Sequence, residues 1–282
     1  MTLEVRVGPP QLATNQGNLV LVTDPDGQIT FPSDKGLYFR DTRLISSWSV
    51  FANGIEWDLL NSGNVTHYAS RIFLTNAAFS TEDGDIPRHV LGLAIGRTLG
   101  GGIHEDLDIT NHGPVAVRFN LEIALRCDFA DIFEVKAKHI VRRGKITTRW
   151  SPGKAQLRTA YRNRDFSRHL SIVAHRCDSR PVHVNGRLSF EVKLPPGDSW
   201  HACLLYEPGD GRCRLAAPEQ CIERCLESDV GKRVRAWKES VLRIRTGNEE
   251  VYRLFTKAVE DMASLRLPIR RRARIACDPS PG

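Results

Sequence analysis

Two groups of acidic residues are the first places in this 282-residue chain where chemistry could be done. Glu105, Asp106 and Asp108 follow a Gly100-Gly101-Gly102 turn, and Asp128, Asp131 and Glu134 form a second cluster further on. Paired carboxylates can share the work of general acid and general base when their surroundings push their pKa values apart. On a strand, however, successive side chains alternate between faces. Glu105 then points away from Asp106 and Asp108, and the first group cannot converge on one bond without another segment. Ion pairs with a basic stretch at residues 136–168, or hydrogen bonds that cap loops, are the expected roles of both groups. No catalytic residue is assigned.

The run Arg40-Asp41-Thr42-Arg43 calls for a different reading. Asp and Thr are poor strand residues and good turn residues, because their oxygens bond nearby backbone N–H groups. Two flanking arginines can clamp carboxylates or stack on aromatics such as Tyr38 or Trp48. Arg40, Asp41 and Arg43 are therefore expected to form a structural clamp at the edge of the fold. The nine histidines show no H-E-x-x-H spacing. Seven cysteines, at 127, 177, 203, 213, 221, 225 and 277, are scattered without a C-x-x-C pair, and read as reduced, mostly buried thiols. Cys221 and Cys225 would sit one helical turn apart, but two sulfurs without other soft ligands make a poor metal site. Neither a metal nor a cofactor is called for.

The elements that must position these residues are strands. In Val115, Val117, Phe119, Leu121, Ile123 and Leu125 every odd position is apolar, and Val184, Leu188, Phe190, Val192 and Leu194 repeat the pattern, so both runs should face one core. Asn53-Gly54 supplies the positive φ angles of a two-residue hairpin turn, and Asp24-Pro25-Asp26-Gly27, Asn111-His112-Gly113 and Ser151-Pro152-Gly153-Lys154 punctuate the chain in the same way. Such spacing leaves no room for crossover helices, and a large antiparallel β-sandwich is expected. Near Pro218 the period changes. Cys221, Ile222, Cys225, Leu226, Val230, Val234, Trp237 and Val241 recur at helical spacing, which predicts one helix of about five turns. A second helix starts at Asn248 as N-cap and carries Val251, Leu254, Phe255, Ala258, Val259, Met262 and Leu265 as one apolar stripe until Pro268. The chain thus divides into a mainly β domain at 1–217, a helical part with two C-terminal helices at 218–268, and an unstructured basic tail at 269–282.

Charge is uneven along the chain. Residues 136–168 hold eleven Lys and Arg against the single Asp165, in a chain of net charge +7. A basic stripe of this kind could meet phosphates, which makes an anionic glycan or nucleic acid the alternative partner. A solvated outer sheet face is the plainer reading, and nucleic acid is disfavoured because no helix-turn-helix, zinc finger or paired aromatic RNA-binding motif accompanies the charge. No apolar run has the roughly 20 residues that a membrane span needs, so no membrane is expected. The N-terminus lacks the basic start and apolar stretch of a secretory signal, and a cytoplasmic location is expected.

Three segments resemble the N-terminal domain of bacterial glycogen debranching enzymes of the amylo-α-1,6-glucosidase type. They are Gly36-Leu37-Tyr38-Phe39-Arg40-Asp41-Thr42-Arg43 with the hairpin at Asn53-Gly54; His104-Glu105-Asp106-Leu107 leading to Asp128-Phe129-Ala130-Asp131-Ile132-Phe133-Glu134-Val135; and Val259-Glu260-Asp261-Met262-Ala263-Ser264-Leu265-Arg266. The resemblance implies a β-supersandwich that packs on an (α/α)6 barrel carrying the catalytic carboxylates. The third segment is similar to the helix that opens that barrel, so the chain would stop before it, as a truncated gene product would, and would be inactive alone. An α-glucan would be met through the catalytic domain. Arg40, Asp41 and Arg43 could then contribute to the rim of the neighbouring cleft, and an exposed helix 248–267 could promote self-association. Sugars stack on exposed aromatic faces, but Trp48, Trp57, Trp150, Trp200 and Trp237 are mostly expected in the core.

Overall fold

The structure, a computed structural model, describes residues 8–211 and 213–266. Strands are numbered in chain order. β1 (Leu12–Gln16), β2 (Leu19–Thr23), β3 (Gly36–Phe39) and β4 (Thr42–Ile45) form an antiparallel meander that the short β13 (Ala130–Asp131) completes. β5 (Ser47–Ala52), β6 (Ile55–Thr66), β7 (Ala69–Asn76), β10 (Leu91–Leu99), β11 (Ile103–Asn111) and β12 (Val117–Arg126) follow, with a β8–β9 hairpin (Phe79–Thr81, Gly84–Ile86) between them. Then come β14 (Lys145–Ser151), β15 (Gln156–Asn163), β16 (Phe166–Cys177), β17 (Val182–Val184), β18 (Arg187–Leu194), β19 (Ser199–Asp210) and β20 (Cys213–Arg214).

The large sheet runs β14-β15-β16-β19-β11-β10-β7-β6-β5-β12-β18-β17, with every neighbour antiparallel. β5 and β6 pair only at their tips, Phe51 with Glu56 and Ala52 with Ile55. The sheet turns at that point, and its two halves face each other. Trp48 of β5 meets Tyr206 of β19 with ring centres 4.6 Å apart, and Phe190 of β18 meets Trp200 of β19 at 5.4 Å. These rings join strands far apart in the sheet order, which is the packing of a β-sandwich. Asn53 and Gly54 both take positive φ, as the hairpin between β5 and β6 requires. Phe119, Leu121 and Ile123 of β12 are buried while Arg118 and Asn120 are exposed, and each such burial contributes about 1.5–3 kcal/mol.

Two strand expectations are corrected. Val115 lies before β12 and is exposed. The run from Val184 to Leu194 is two strands, because Asn185 and Gly186 adopt positive φ and turn the chain between β17 and β18, which leaves Val184 exposed. Lys136 ends the short helix Ile132–Lys136, and the other basic residues of the 136–168 stretch lie on β14, β15, the start of β16 and the connections around them. Lys145, Arg149, Arg158 and Arg162 are exposed.

The helical part also departs from one long helix. A 3-10 helix at Ile222–Glu227 ends at Ser228, which takes an extended conformation and accepts a hydrogen bond from the Gly231 amide as N-cap of α2 (Asp229–Ser240); α1 (Ile132–Lys136) is capped by Asp131. The apolar period continued across a position where a serine oxygen competed for the backbone. α3 (Glu249–Ser264) begins as expected, with the Asn248 side chain accepting from the amides of Glu250 and Val251. Ile222, Cys225 and Val230 are buried in the sandwich core, so the chain after Pro218 is seated on the β domain. None of the described helices is long and apolar enough to cross a membrane. The tail expected at 269–282 lies outside the described residues.

Candidate functional site

The β3–β4 turn carries the arginine run. Arg40 takes a positive φ of 55° and is exposed with Asp41, whose backbone carbonyl accepts from the amide of Ile132. Arg40 Nη1 donates to Asp210 at 2.6 Å, and Arg168 reaches the other oxygen of Asp210 at 2.5 Å. The two residues Arg40 and Arg43 are divided by the turn. Arg43 points inward with a side chain only 1% exposed, donates through Nε and Nη2 to Asp128 at 3.1 and 2.5 Å, and reaches the Ser33 carbonyl at 2.7 Å. Such a fork on a carboxylate fixes geometry at both ends. Neither arginine stacks on Trp48. That ring is covered by Arg97, whose guanidinium lies 4.0 Å from the ring centre.

Arg97 belongs to a buried polar group. Its Nε donates to Glu105 at 2.9 Å and its Nη1 to the Gly27 carbonyl at 2.6 Å, while Tyr206 Oη donates to the second oxygen of Glu105 at 2.6 Å. Burial, with the Glu105 carboxylate beside it, raises the Tyr206 hydroxyl well above its ordinary pKa. Glu105 thus faces the sandwich interior, opposite to Asp106 and Asp108, as strand alternation requires. The ion pairs expected with the basic stretch are made by Glu134 alone, with Arg143. Asp128 is taken by Arg43, and Asp131 caps α1. Glu105 and Asp108 find closer partners on neighbouring strands instead, and Asp106 accepts from the Ile222 amide.

The other face of β11 gathers a second group. His104, Asp106, Cys203 and Cys221 each present a donor atom, and the four atoms lie within 4.8 Å of one another. β10 and β11 run side by side with Gly96 opposite Asp106, and a Cβ on Gly96 would stand 2.5 Å from Ile222. The glycine lets the segment carrying Cys221 and Ile222 close over the face. His104 Nδ1 donates to the Pro218 carbonyl at 2.7 Å, and the Ile222 amide donates to Asp106 at 2.8 Å. Burial alone would raise the Asp106 carboxyl, but His104, Cys221 and the Ile222 amide together hold it below its ordinary range. Burial raises the thiol of Cys203, and that of Cys221 to about 11. His201 bridges Asp108 at 2.6 Å and Cys203 at 3.0 Å. His104 and Asp106 stand two residues apart in the sequence, but nothing local joins them to Cys203 or Cys221. The pairing of β11 with β19 brings Cys203, 97 residues away, opposite Asp106.

Of the tryptophans, Trp48, Trp57 and Trp200 are buried, whereas Trp150 and Trp237 are half-buried. On the outer sheet, Lys145 stands opposite Arg162 and Arg149 opposite Arg158.

A family model described as the N-terminal domain of some glycogen debranching enzymes matches residues 15–205. No curated protein matches. Among solved structures, the Slr1438 protein of Synechocystis sp. PCC 6803 is similar at 9% identity and a TM-score of 0.42, over 74% of this chain and 100% of that one. A protein described as a kojibiose phosphorylase from the human microbiome is similar at 8% identity and a TM-score of 0.46, over 89% of this chain and 35% of that one.

Proposed function

This chain belongs to the family of N-terminal domains of glycogen debranching enzymes, and from that premise we propose that it is a non-catalytic β domain that serves α-glucan metabolism together with a catalytic (α/α)6 barrel. One observation supports the reading above others: the carboxylates that could have formed an acid and base pair are already engaged. Glu105 is fully buried against Arg97 and Tyr206, and Asp106 points to the opposite face under Ile222. Hydrolysis of a glycosidic bond needs two carboxyl groups flanking one open cleft, roughly 5–9.5 Å apart. Arg40 and Asp41, exposed on a turn anchored from beneath by Arg43, are the residues that would lean over the barrel's cleft. The test is retention of the purified chain on glycogen and malto-oligosaccharide over a range of salt. Retention that barely changes with salt is expected, and loss of binding at moderate salt would argue against a neutral glucan as partner.

One feature favours a second reading, a binding module for an anionic glycan or nucleic acid. Like charges directly opposite on neighbouring strands destabilise a sheet, and the exposed pairs Lys145–Arg162 and Arg149–Arg158 do this twice on one face. A bound polyanion would relieve both pairs. Its signature is an affinity falling steeply with salt, by about 0.9 in log K per log unit of salt for each duplex phosphate neutralised.

A further inference from the structure

We propose that His104, Asp106, Cys203 and Cys221 form a closed four-coordinate Zn²⁺ site that staples the segment after Pro218 to β11 and β19. The donor set is one imidazole nitrogen, one carboxylate oxygen and two sulfurs. Oxygen-seeking Mg²⁺ and Ca²⁺ do not take such a set, whereas Zn²⁺ does.

The geometry supports it in detail. Zn–S bonds of about 2.3 Å and Zn–N or Zn–O bonds of about 2.0–2.2 Å at tetrahedral angles set S to S near 3.8 Å, S to O near 3.6 Å and N to O near 3.4 Å. Cys203 and Cys221 sulfurs lie 3.8 Å apart, Cys203 Sγ lies 3.5 Å from Asp106 Oδ1, and His104 Nε2 lies 3.2 Å from the same oxygen. The two sulfurs are too far apart for a disulfide, which would hold them near 2.05 Å, and stand at the spacing that two thiolates take on one zinc.

His104 adds an independent observation. Its ring is fully buried, Nδ1 gives its proton to the Pro218 carbonyl, and Nε2, which makes no well-aligned hydrogen bond, faces the cluster 3.2 Å from Asp106 Oδ1. In the neutral imidazole this nitrogen is an acceptor set beside a carboxylate oxygen, which is costly, and a cation between the two removes the cost. The carbonyl on the far nitrogen is the arrangement that orients a metal-binding imidazole, and the Ile222 amide holds the second oxygen of Asp106 in the same way. As the metal binds, each thiol forms a sulfur–zinc bond and releases its proton to solvent. With all four positions taken by protein and three of the ligands buried, the site is structural. It ties the 3-10 helix, and through it α2, to the sandwich.

The test uses the full chain expressed in zinc-supplemented medium and purified without chelator, with metal content read by mass spectrometry. One zinc per chain is expected, with its loss in Cys221→Ser and Asp106→Asn. Reconstitution with Co²⁺ should give thiolate charge-transfer bands and the intense visible bands of tetrahedral cobalt. Cys221 is only half-buried, so its variant should keep the β-rich circular dichroism; if it unfolds, the cobalt spectrum of the unaltered chain decides alone. A chain that takes up no zinc and gives only the pale spectrum of octahedral cobalt would overturn the proposal. So would iron or copper at these ligands, or a Cys203–Cys221 disulfide in freshly purified protein.

Discussion

Replacing Arg97 by methionine should cost the fold more than any surface substitution on this chain. The guanidinium sits over the Trp48 ring, donates to Glu105 and to the Gly27 carbonyl, and is 1% exposed opposite a Glu105 that is 0% exposed. Methionine fills much of the volume and removes the charge, which leaves the carboxylate in the core with only the Tyr206 hydroxyl to bond. Breaking a buried pair from one side typically costs about 3–5 kcal/mol, because the remaining charge is uncompensated. At about 2–4 °C per kcal/mol for a chain of this size, Arg97→Met should melt ~6–20 °C lower. Adding Glu105→Gln removes the orphaned charge while keeping an acceptor for Tyr206, so Arg97→Met/Glu105→Gln should recover more than half of the loss. Urea unfolding followed by circular dichroism and tryptophan fluorescence reads both variants. A single variant within about 1 kcal/mol of the parent, or a double variant less stable than the single one, would refute the assignment of this pair as a charged, mutually dependent unit.

Other consequences follow from the same contacts. His169 is buried between strands, and burial, helped by Arg158 and Arg214, lowers its pKa to about 4. The unfolded chain takes up that proton at about pH 6.5 and the folded chain does not, so stability should fall as pH drops from about 6.5 to about 4, by on the order of 3 kcal/mol; urea midpoints across that range should flatten in His169→Gln. On α3, Val259 and Ala263 are buried while Val251, Leu254, Met262 and Leu265 are exposed. The double variant Leu254→Glu/Met262→Glu should therefore leave the melting temperature nearly unchanged and abolish any concentration-dependent association seen by sedimentation. Gly96→Val places a branched side chain where a Cβ already stands 2.5 Å from Ile222. It should lift the segment after Pro218 and cost about 1–3 kcal/mol, with proteolysis near Cys221 as the readout.

Much of the sandwich was legible because period-two patterning and turn chemistry are local. Phe119, Leu121 and Ile123 announce a half-buried strand, and Asn53-Gly54 announces its hairpin, from a few residues each. The helix after Asn248 was legible for the same reason, since its cap and apolar stripe lie within one segment. Where local rules competed, the stronger was not evident in advance. Asn185-Gly186 interrupted an apparent strand, and Ser228 interrupted an apparent helix, because turn and cap chemistry outweighed a continuing apolar period. The polar clusters were the least legible. Strand alternation separated Glu105 from Asp106, but only the long-range pairing of β10, β11 and β19 could show that one meets Arg97 and the other a histidine and two cysteines. Arg43 likewise looked like an edge residue until β13 and Asp128 closed over it.

The central claim is that this chain contributes a glucan-enzyme domain without the chemistry of cleavage. Its most direct test is glucose release from a branched α-glucan by the purified chain alone, and again after addition of a separately expressed (α/α)6 barrel from the same family. No release above a no-protein control is expected from the chain alone, and the rate with the barrel should exceed the barrel's own. Release by the chain alone that is abolished by substituting one of its own carboxylates would contradict it.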